Sequence, residues 1–421
     1  MNRRDFGRLV ALAGSAVMLP GRLDLDASPL RATPDTPDEA FWRDVRARFM
    51  VPRDVTFLNA ANLCPTSLPA IEALDRNIRA YEMNPSPEVR AGLFARGKEA
   101  SRALLAESLR VTPEEIVITR NATESNNTVS SGLDLKAGDE VVVCDDNHPS
   151  NLNAWRVKGA RFGFKVVSVP APASHPGADG YVELFTKAFT PRTKLVAITH
   201  VSSNSGDLLP VAQLCAAARA RGILSLVDGA QAFGVLDLDL AAMKPDFYSG
   251  SMHKWPCGPK EKGLLYVNKA VHDRLHPTVV GLYEGAVGIS RTLEAHGQRD
   301  DASIAALTDA LKFQGSIGRA VIEKRSRQLA QALMEGLGKL PGVKLWTNPD
   351  PSRSAAIVIF QPGTLDPRKL RAALAQNEKI IATARPGDHN PGIRLAPHFY
   401  NTMDEMDRVV AAIRKYLGSG V

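Results

Sequence analysis

Cysteine is scarce in this sequence, and long apolar runs are absent after its N-terminus. The 421 residues include four cysteines, Cys64, Cys144, Cys215 and Cys257, and no two of them form a C-x-x-C pair. A disulfide framework or a zinc site would require closer spacing, so we expect packed thiols and no metal. No run beyond residue 21 approaches the ~20 apolar residues that span a bilayer. We therefore expect no stable membrane insertion.

Several widespread catalytic signatures are also missing. The sequence contains no G-x-G-x-x-G after a predicted strand, no G-x-x-x-x-G-K-[ST], no H-E-x-x-H and no G-x-S-x-G. These absences argue against dinucleotide binding, a P-loop, a zinc protease and an α/β-hydrolase nucleophile. Lysine plus arginine (52) outnumber aspartate plus glutamate (45), but the basic residues are scattered and lack the aromatic interleaving of a nucleic-acid surface. We expect no nucleic-acid partner and a mild preference for anionic small molecules.

The first 21 residues have the layout of an export signal. A basic start is followed by an apolar stretch over residues 9–19 and then by the helix-breaking pair Pro20 and Gly21. Arg3 and Arg4 resemble the twin-arginine (Tat) signal, whose machinery exports proteins that have already folded, often with a cofactor inserted. We predict that residues 1–37 are signal and linker, cleaved at an undetermined position between residues 21 and 34. The Tat machinery is then a partner, and the protein is periplasmic.

Short apolar runs rich in β-branched residues alternate with helical stretches between residues 115 and 269. The seven runs are EIVITR, EVVVCDD, FKVVSVPA, KLVAITHVSS, ILSLVDGAQ, DFYSGSMHK and GLLYVNK. This alternation is typical of a mainly parallel α/β sheet with crossover helices. We predict an N-terminal segment over residues 38–60 and a large domain with a seven-stranded sheet over residues 61–300.

The pattern changes after residue 282. A loop is followed by two predicted helices, over residues 301–317 and 319–340. Beyond Pro341, four short strand-like runs, VKLWT, AAIVIFQ, EKIIATA and GIRLA, lie between amphipathic stretches. We predict a smaller C-terminal α/β domain over residues 301–421.

Polar residues follow the apolar runs, where ligands of open α/β sheets bind. Asp228 ends the run ILSLV, and a buried carboxylate there requires a cation, such as a protonated pyridine nitrogen. Lys254 ends DFYSGSMHK, where desolvation would lower the pKa of an amine and suit it to Schiff-base chemistry. Ser251 and His253 alternate along the same run, so both side chains can face a phosphate from one side.

Two further segments follow predicted strands. Residues 121–127 open a helix with small polar side chains, so the N–H groups of Ala122 and Thr123 can receive a phosphate. His148 lies after EVVVCDD, where an imidazole could stack on an aromatic cofactor ring. Taken alone, the first segment would be an ordinary helix cap and His148 a capping or surface residue. The other polar residues at the strand ends favour the ligand-binding interpretation.

Together these segments resemble the class V aminotransferase family of pyridoxal 5′-phosphate (PLP) enzymes of fold type I, which includes cysteine desulfurases and isopenicillin N epimerase. The matching segments are FLNAANLCP, RNATESNN, DDNHPSN, HVSSNSG, VDGAQAFG, SGSMHKWPCGPKEKG, LEAHGQRDDASIAAL and GIRLAPHFYNT. The resemblance implies that Lys254 holds PLP as a Schiff base and that Asp228 pairs with the pyridinium. It also implies that His148 stacks on the ring, that Gln231 contacts the ring hydroxyl, and that Ser203 lies under the cofactor where the desulfurases have Asn.

The same resemblance assigns residues outside the cofactor ring. Arg394 corresponds to the arginine that binds the substrate carboxylate, and Asn62 lies in the segment that resembles the substrate-side loop. Gln298 lies in the segment that reaches the phosphate of a neighbouring subunit, at a position where Thr is commonest. The resemblance therefore implies a homodimer and a small amino acid or amine as substrate.

The reaction remains open at this level. The desulfurases have a nucleophilic cysteine before the carboxylate arginine, but the loop ATARPGDHNPG has none, which argues against persulfide chemistry by their route. We expect transamination first, followed by epimerisation or periplasmic tailoring by oxidative decarboxylation, deamination or C–S lysis. A non-catalytic binding protein is disfavoured because Lys254, Asp228, His148 and Arg394 are all present. Neither the substrate nor the pathway follows from the sequence.

Overall fold

The structure is a computed structural model, which describes residues 30–387 and 389–421. The predicted export signal, with Arg3 and Arg4, lies outside the described residues, as does most of the predicted linker. Among the described residues, no helix combines the length and apolar character needed to cross a membrane.

The described residues form thirteen strands in three sheets. They are β1 (Thr56–Phe57), β2 (Ile116–Thr119), β3 (Glu140–Cys144), β4 (Lys165–Val169), β5 (Thr193–Thr199), β6 (Leu224–Asp228), β7 (Phe247–Ser251), β8 (Gly263–Val267), β9 (Val343–Leu345), β10 (Val358–Pro362), β11 (Ile380–Ile381), β12 (Thr383–Arg385) and β13 (Gly392–Leu395). All seven predicted runs of the large domain are strands of one sheet, in the order β2-β8-β7-β6-β5-β3-β4. The predicted seven-stranded sheet is therefore confirmed.

The large sheet is parallel except for β8, which is antiparallel to both of its neighbours. Strands β3, β6 and β7 are buried along their whole length, as expected where helices cover both faces of a parallel sheet. The carboxyl ends of the parallel strands lie at one edge of the sheet. The residues that follow β2, β3, β5, β6 and β7 therefore converge there.

Fifteen α-helices accompany these strands in the described part of the chain. They are α1 (Glu39–Arg46), α2 (Leu68–Met83), α3 (Pro87–Val89), α4 (Arg96–Leu109), α5 (Ala122–Gly132), α6 (Pro149–Phe162), α7 (Ala178–Lys187), α8 (Val211–Arg219), α9 (Leu240–Met243), α10 (Ser290–Leu293), α11 (Asp301–Ala305), α12 (Leu307–Ile317), α13 (Arg319–Gly338), α14 (Pro367–Asn377) and α15 (Met403–Ser419). A π-helical stretch, Arg90–Ala95, joins α3 to α4. The helix predicted over residues 301–317 is divided at Ala306, whose backbone stays right-handed (φ −68°, ψ −11°), so the helical path continues across the division.

The C-terminal part forms a second α/β layer, as predicted. Strands β12, β13, β10 and β9 make an antiparallel sheet, and α13 and α15 pack together beside it. The third predicted strand of this part is two strands, β11 and β12. Strand β11 pairs in parallel with β1, which joins the N-terminal segment to the C-terminal layer.

Two of the four hydrophobic clusters among the described residues, a larger core and a smaller one, divide within this C-terminal part. Leu307 and Phe313 of α12 belong to the larger core under the seven-stranded sheet. Leu329 of α13 and Leu58 after β1 belong to the smaller core. The domain boundaries at residues 60 and 300 stay predictions, and the packing indicates that α12 is attached to the larger core.

Candidate active site

A cavity of about 220 Å³ lies at the carboxyl edge of the large sheet. It is lined by Asn62, Asn121, Ala122, Thr123, His148, Ser150, Thr199, Val201, Ser203, Asp228, Ala230, Gln231, Ser251, His253 and Lys254. Ten of the twelve site residues predicted from the sequence are in this lining. The other two, Arg394 and Gln298, lie behind the cavity wall and on the surface, respectively.

A larger cleft, about 680 Å³, opens between α4 and the helices α12 and α13. Two of its charged side chains are already paired, because Arg110 Nη2 lies 2.9 Å from Asp237 Oδ1. None of the predicted site residues lines this cleft. The smaller cavity is therefore the better candidate, because titratable groups converge on it.

Lys254 follows β7 and faces the cavity. The side chain lines the cavity and is otherwise largely enclosed. This burial lowers the pKa of the Lys254 amine to about 8, although the nearby Asp228 carboxylate opposes the shift. An amine with this pKa is substantially neutral at mildly alkaline pH, so it can act as a nucleophile or accept a proton.

Asp228 ends β6 and is 4% exposed. Its Oδ1 accepts a hydrogen bond from the Ala230 N–H at 3.0 Å, and its Oδ2 accepts one from Asn126 Nδ2 at 2.9 Å. Both donors are neutral, so they fix the orientation of the carboxylate without cancelling its charge. This arrangement suits a cationic partner such as a protonated pyridine nitrogen. Asn126 was missed in the sequence, although it lies within RNATESNN.

The start of α5 forms an anion cradle beside Ser251. Asn121 caps the helix by accepting from the Glu124 N–H at 2.9 Å, and the Ala122 N–H donates to Ser251 Oγ at 2.9 Å. Thr123 lies in the first helical turn, where N–H groups have no intrahelical acceptor. Gly263 opens β8 directly beneath, where a Cβ atom would lie 2.6 Å from Asn121 Cα. These residues fit a phosphate.

His148 and His253 both line the cavity. His148 caps α6, and its Nδ1 accepts from the Ser150 N–H at 3.2 Å, which leaves Nε2 for other contacts. Burial, and then the charge of Lys254, lowers the pKa of His148. The same two causes lower the pKa of His253 to about 4. Both imidazoles are therefore neutral at physiological pH.

Gln231 lines the cavity, but its amide also joins two neighbouring segments. Nε2 donates to the Ala61 carbonyl at 2.8 Å, and Oε1 accepts from Trp255 Nε1 at 2.9 Å. One amide hydrogen remains for a ligand, such as the ring hydroxyl predicted from the resemblance. The bond to Ala61 also positions Asn62, the next residue in the chain.

Arg394 lies on β13, behind Ser203. Its Nη1 donates to the Ser203 carbonyl at 3.4 Å, while its Nε is buried and has no hydrogen-bond partner among the described residues. Burial lowers the pKa of this guanidinium to about 10, with a further contribution from the charge of Arg385. A buried guanidinium with an unused donor suits a substrate carboxylate.

Gln298 is placed away from the cavity. Its Nε2 contacts Tyr283 Oη at 3.4 Å on the surface. The single chain therefore neither supports nor opposes its predicted role in a neighbouring subunit, which stays a prediction.

The four cysteines are free and buried, but the fold brings two of them together. The sulfur atoms of Cys64 and Cys257 and a ring nitrogen of His398 lie within 4.8 Å of one another. Both His398 nitrogens are engaged, with Ser326 Oγ at 3.1 Å and the Trp255 carbonyl at 2.6 Å. The expectation from sequence spacing overlooked this proximity because the two cysteines lie far apart in the chain.

Comparison with known proteins supports the assignment of the fold and the cofactor. The family model of Aminotransferase class-V matches residues 57–409. An isopenicillin N epimerase of Streptomyces clavuligerus is 31% identical over 400 residues, which cover 90% of this chain and 99% of that protein. A probable cysteine desulfurase of Pyrococcus abyssi is 28% identical over 401 residues, covering 89% and 98% of the two chains.

Solved structures show the same fold. A mutant of the protein C-DES with glycine covalently linked to its PLP cofactor superposes with a TM-score of 0.82 at 26% identity, covering 90% of this chain and 99% of that one. The cystine C–S lyase C-DES in complex with cysteine persulfide gives a TM-score of 0.80 at 26% identity, covering 86% and 98%. These similarities support PLP as the cofactor, and the cavity at the strand ends is the candidate site for it.

Proposed function

The chain belongs to the aminotransferase class V family of PLP-dependent enzymes, and from this premise we propose that it epimerises an amino acid by moving the proton at Cα. Lys254 is the observation that supports the proposal most directly. It is an enclosed amine with a pKa of about 8, in a site whose neighbouring loop, residues 382–392, has no cysteine. Proton transfer therefore suits this site better than persulfide chemistry.

The residues of the cavity have complementary roles in such a reaction. When bound, PLP supplies a conjugated ring that withdraws electrons from the bonds at the substrate Cα. Asp228 holds a negative charge against the ring nitrogen, and the start of α5 with Ser251 and His253 binds the phosphate.

The substrate is held and deprotonated by the remaining groups. Arg394 binds the α-carboxylate through its unused Nε and an Nη, and this contact orients the Cα–H bond towards Lys254. The Lys254 amine accepts the proton. Its return to the opposite face requires a second donor or a change in the orientation of the substrate.

Relatives support epimerisation as the first outcome to test. The isopenicillin N epimerases of Streptomyces clavuligerus and Amycolatopsis lactamdurans are each 31% identical to this chain. C–S lysis is the second candidate, because the fold is similar to that of the cystine C–S lyase C-DES and elimination also begins with loss of the Cα proton. Transamination, the first expectation from the sequence, begins in the same way.

One experiment separates these outcomes. The PLP-loaded protein is incubated with single enantiomers of amino acids in deuterated water, and deuterium at Cα, the enantiomer ratio, oxo acids and sulfide are measured. Epimerisation predicts deuterium in both enantiomers without oxo acid. Oxo acid with transfer of the amino group would indicate transamination, and oxo acid with sulfide would indicate lysis. Absence of any Cα exchange across the series would contradict the proposal.

We also propose a homodimer in which Gln298 reaches the phosphate site of the partner. The loop beside Gln298 is apolar and exposed, with Val280 at 85% and Leu282 at 74%. Exposed apolar side chains of this size mark a surface suited to burial against another chain. The position of the loop next to Gln298 supports an interface that includes the site.

Export by the Tat machinery remains a proposal that rests on the sequence. Arg3 and Arg4 before an apolar stretch support it. A cofactor enzyme gains from this route because it can fold and acquire PLP before export.

A further inference from the structure

Two arginines converge on one backbone carbonyl behind the cavity. Arg385 lies on β12 and Arg394 on β13, and the Nη1 atom of each lies 3.4 Å from the Ser203 carbonyl oxygen. The two nitrogens are therefore separated by no more than twice that distance. Thr383 pairs directly with Arg394, and Arg385 follows Thr383 by two residues, so both arginines extend from the same face of the sheet.

Among the described residues, no anion forms a hydrogen bond with Arg385. Its Nη2 donates to Asn204 Oδ1 at 2.9 Å, and its Nε donates to the Asn390 carbonyl at 3.4 Å. These acceptors are neutral, as is the shared Ser203 carbonyl. Arg394 also lacks an anionic partner in the described part of the chain. Two guanidiniums that are buried or half-buried among neutral acceptors favour the binding of anions.

The Asp146 carboxylate, which belongs to the same group of side chains, already has other partners. Its Oδ2 accepts a hydrogen bond from Ser202 Oγ, and its Oδ1 lies 3.4 Å from His389 Nε2. Contact with Asp146 raises the pKa of His389, so this imidazole adds positive charge as the pH falls. Asp146 therefore already has two other partners among the described residues.

The two guanidiniums lie at different depths. Arg394 is 9% exposed, and its unused Nε makes it the inner binding group. Arg385 is half-buried and is followed by the exposed residue Pro386. The side chain of His389, in the same loop, is 47% exposed. A ligand that reaches both groups therefore extends from the cavity towards the loop.

We propose that Arg385 binds a second carboxylate of the substrate, so that the enzyme acts on amino acids that have a carboxylate at the far end of the side chain. This inference rests on the proposed function for the placement of the α-carboxylate at Arg394. Arg394 has an Nε and an Nη for a two-point contact with the first carboxylate. Arg385 uses its Nε and one hydrogen of each Nη within the protein, and the second hydrogen of each Nη is available for the second carboxylate.

The test uses amine-free probes, so that binding is measured separately from catalysis. Glutarate and adipate, and butyrate as the monocarboxylate, are titrated calorimetrically into the PLP-loaded protein. We expect a dicarboxylate to bind at least about tenfold more tightly than butyrate, as charged hydrogen bonds contribute on this scale. Equal binding of the two classes would overturn the proposal.

Two arginine variants then locate the second contact. Arg385→Gln should remove the dicarboxylate advantage and leave butyrate binding unchanged, whereas Arg394→Gln should weaken both. Arg371→Gln removes an exposed arginine from α14 and should change neither. If Arg385→Gln weakened butyrate and the dicarboxylates equally, both arginines would bind a single carboxylate, and the proposal would be wrong.

Asn204→Ala distinguishes recognition from support of the loop. This variant removes the hydrogen bond from Arg385 Nη2 but keeps the charge, so the dicarboxylate advantage should persist. Loss of the advantage in Asn204→Ala, to the extent seen in Arg385→Gln, would show that Arg385 only anchors the loop.

The substrate proposal and the functional proposal can fail independently. Tight dicarboxylate binding without any Cα exchange would leave the second-carboxylate site intact and contradict the epimerase proposal. Cα exchange on monocarboxylic amino acids, with no dicarboxylate preference, would support proton transfer at Cα and contradict the second-carboxylate site.

Discussion

Asn126 donates a hydrogen bond from Nδ2 to Oδ2 of Asp228, a residue of the cavity lining, at 2.9 Å. Asn126 is fully buried on α5, and its Oδ1 has no partner among the described residues. A buried amide with an unused acceptor costs free energy, so this position is not optimised for stability alone. The contact links α5, which we propose binds the phosphate, to the carboxylate that we propose pairs with the ring nitrogen.

Replacement of Asn126 by Ala should weaken cofactor binding. Asp228 would lose one of its two hydrogen bonds and could turn away from the ring nitrogen. We expect the dissociation constant of PLP to rise about tenfold, the effect of losing one hydrogen bond to a charged group. Fluorescence titration of the apoprotein with PLP measures this change. Asn127→Ala removes the neighbouring amide, which bonds within the helix to the Thr123 carbonyl, and should have little effect.

Lys254→Ala should abolish covalent attachment of PLP and Cα exchange while leaving the fold intact. No other lysine lines the cavity in the described part of the chain, so no second amine can replace it. Borohydride reduction followed by mass spectrometry measures the attachment. Lys269→Ala removes a surface lysine paired with Glu114 and should behave as the wild type. Cofactor fixed to the Lys254 variant at wild-type stoichiometry would refute the assignment.

His398 should make the protein sensitive to acid. It is completely buried, and burial lowers its pKa to about 3, whereas in the unfolded chain the value is ~6.5. Between these values the unfolded chain binds a proton that the folded protein does not. The free energy of unfolding therefore falls as the pH drops from ~6.5, by at most about 1.4 kcal/mol per pH unit for this residue.

Urea denaturation over a range from about pH 7 to about pH 5 tests this dependence. His398→Gln should reduce the slope of unfolding free energy against pH, even if it lowers stability at all pH values. His276→Gln, at a site with a side chain 58% exposed, should keep the wild-type slope. An unchanged slope in His398→Gln would mean that His398 is not the titrating group.

The sequence predicted the large sheet well because most of its strands, such as β3, β6 and β7, are buried along their whole length. Most of the seven runs are short apolar blocks that contain β-branched residues, and this signal is local. The split of residues 378–384 into β11 and β12 was not predictable in this way, because β11 is defined by its pairing with β1 from the far end of the chain. The helices α1 to α4, which precede the large sheet, were also not predicted.

The site residues that the sequence predicted are those whose position is marked by the end of an apolar run. Lys254 and Asp228 end strands, and the start of α5 follows one, so the converging strand ends predicted a common cavity. Asn126 and Arg385 were missed because their roles depend on tertiary contacts. Asn126 lies inside α5, and Arg385 lies at the end of β12, where no sequence motif marks it.

The export proposal predicts that Arg3 and Arg4 are both required. Changing both to Lys keeps the charge but removes the twin-arginine pair, so the PLP-loaded protein should accumulate in the cytoplasm. Cell fractionation with antibody detection measures its distribution. Substitution of Arg8, outside the pair, by Lys should leave export unchanged. Periplasmic protein at wild-type levels in the double variant would refute export by this route.

The dimer proposal predicts that a mixed dimer recovers an active site. Gln298→Ala should weaken binding of PLP at the site that the residue completes, because its amide donates to the phosphate. If Gln298 acts across the interface, a dimer of one Lys254→Ala chain and one Gln298→Ala chain has one site with neither substitution. That dimer should show about half of the wild-type activity, as expected for one intact site of two in a symmetric assembly.

A contribution within the same chain predicts a different result. Each site of the mixed dimer would then have one of the two substitutions, and mixing would restore nothing. Chains with different affinity tags allow the mixed dimer to be isolated, and sedimentation velocity establishes that it is a dimer. Because Lys254→Ala alone removes the reactive amine, recovered activity can come only from the site of the Gln298→Ala chain, completed by its partner. An active wild-type monomer in the same sedimentation experiment would contradict the proposal directly.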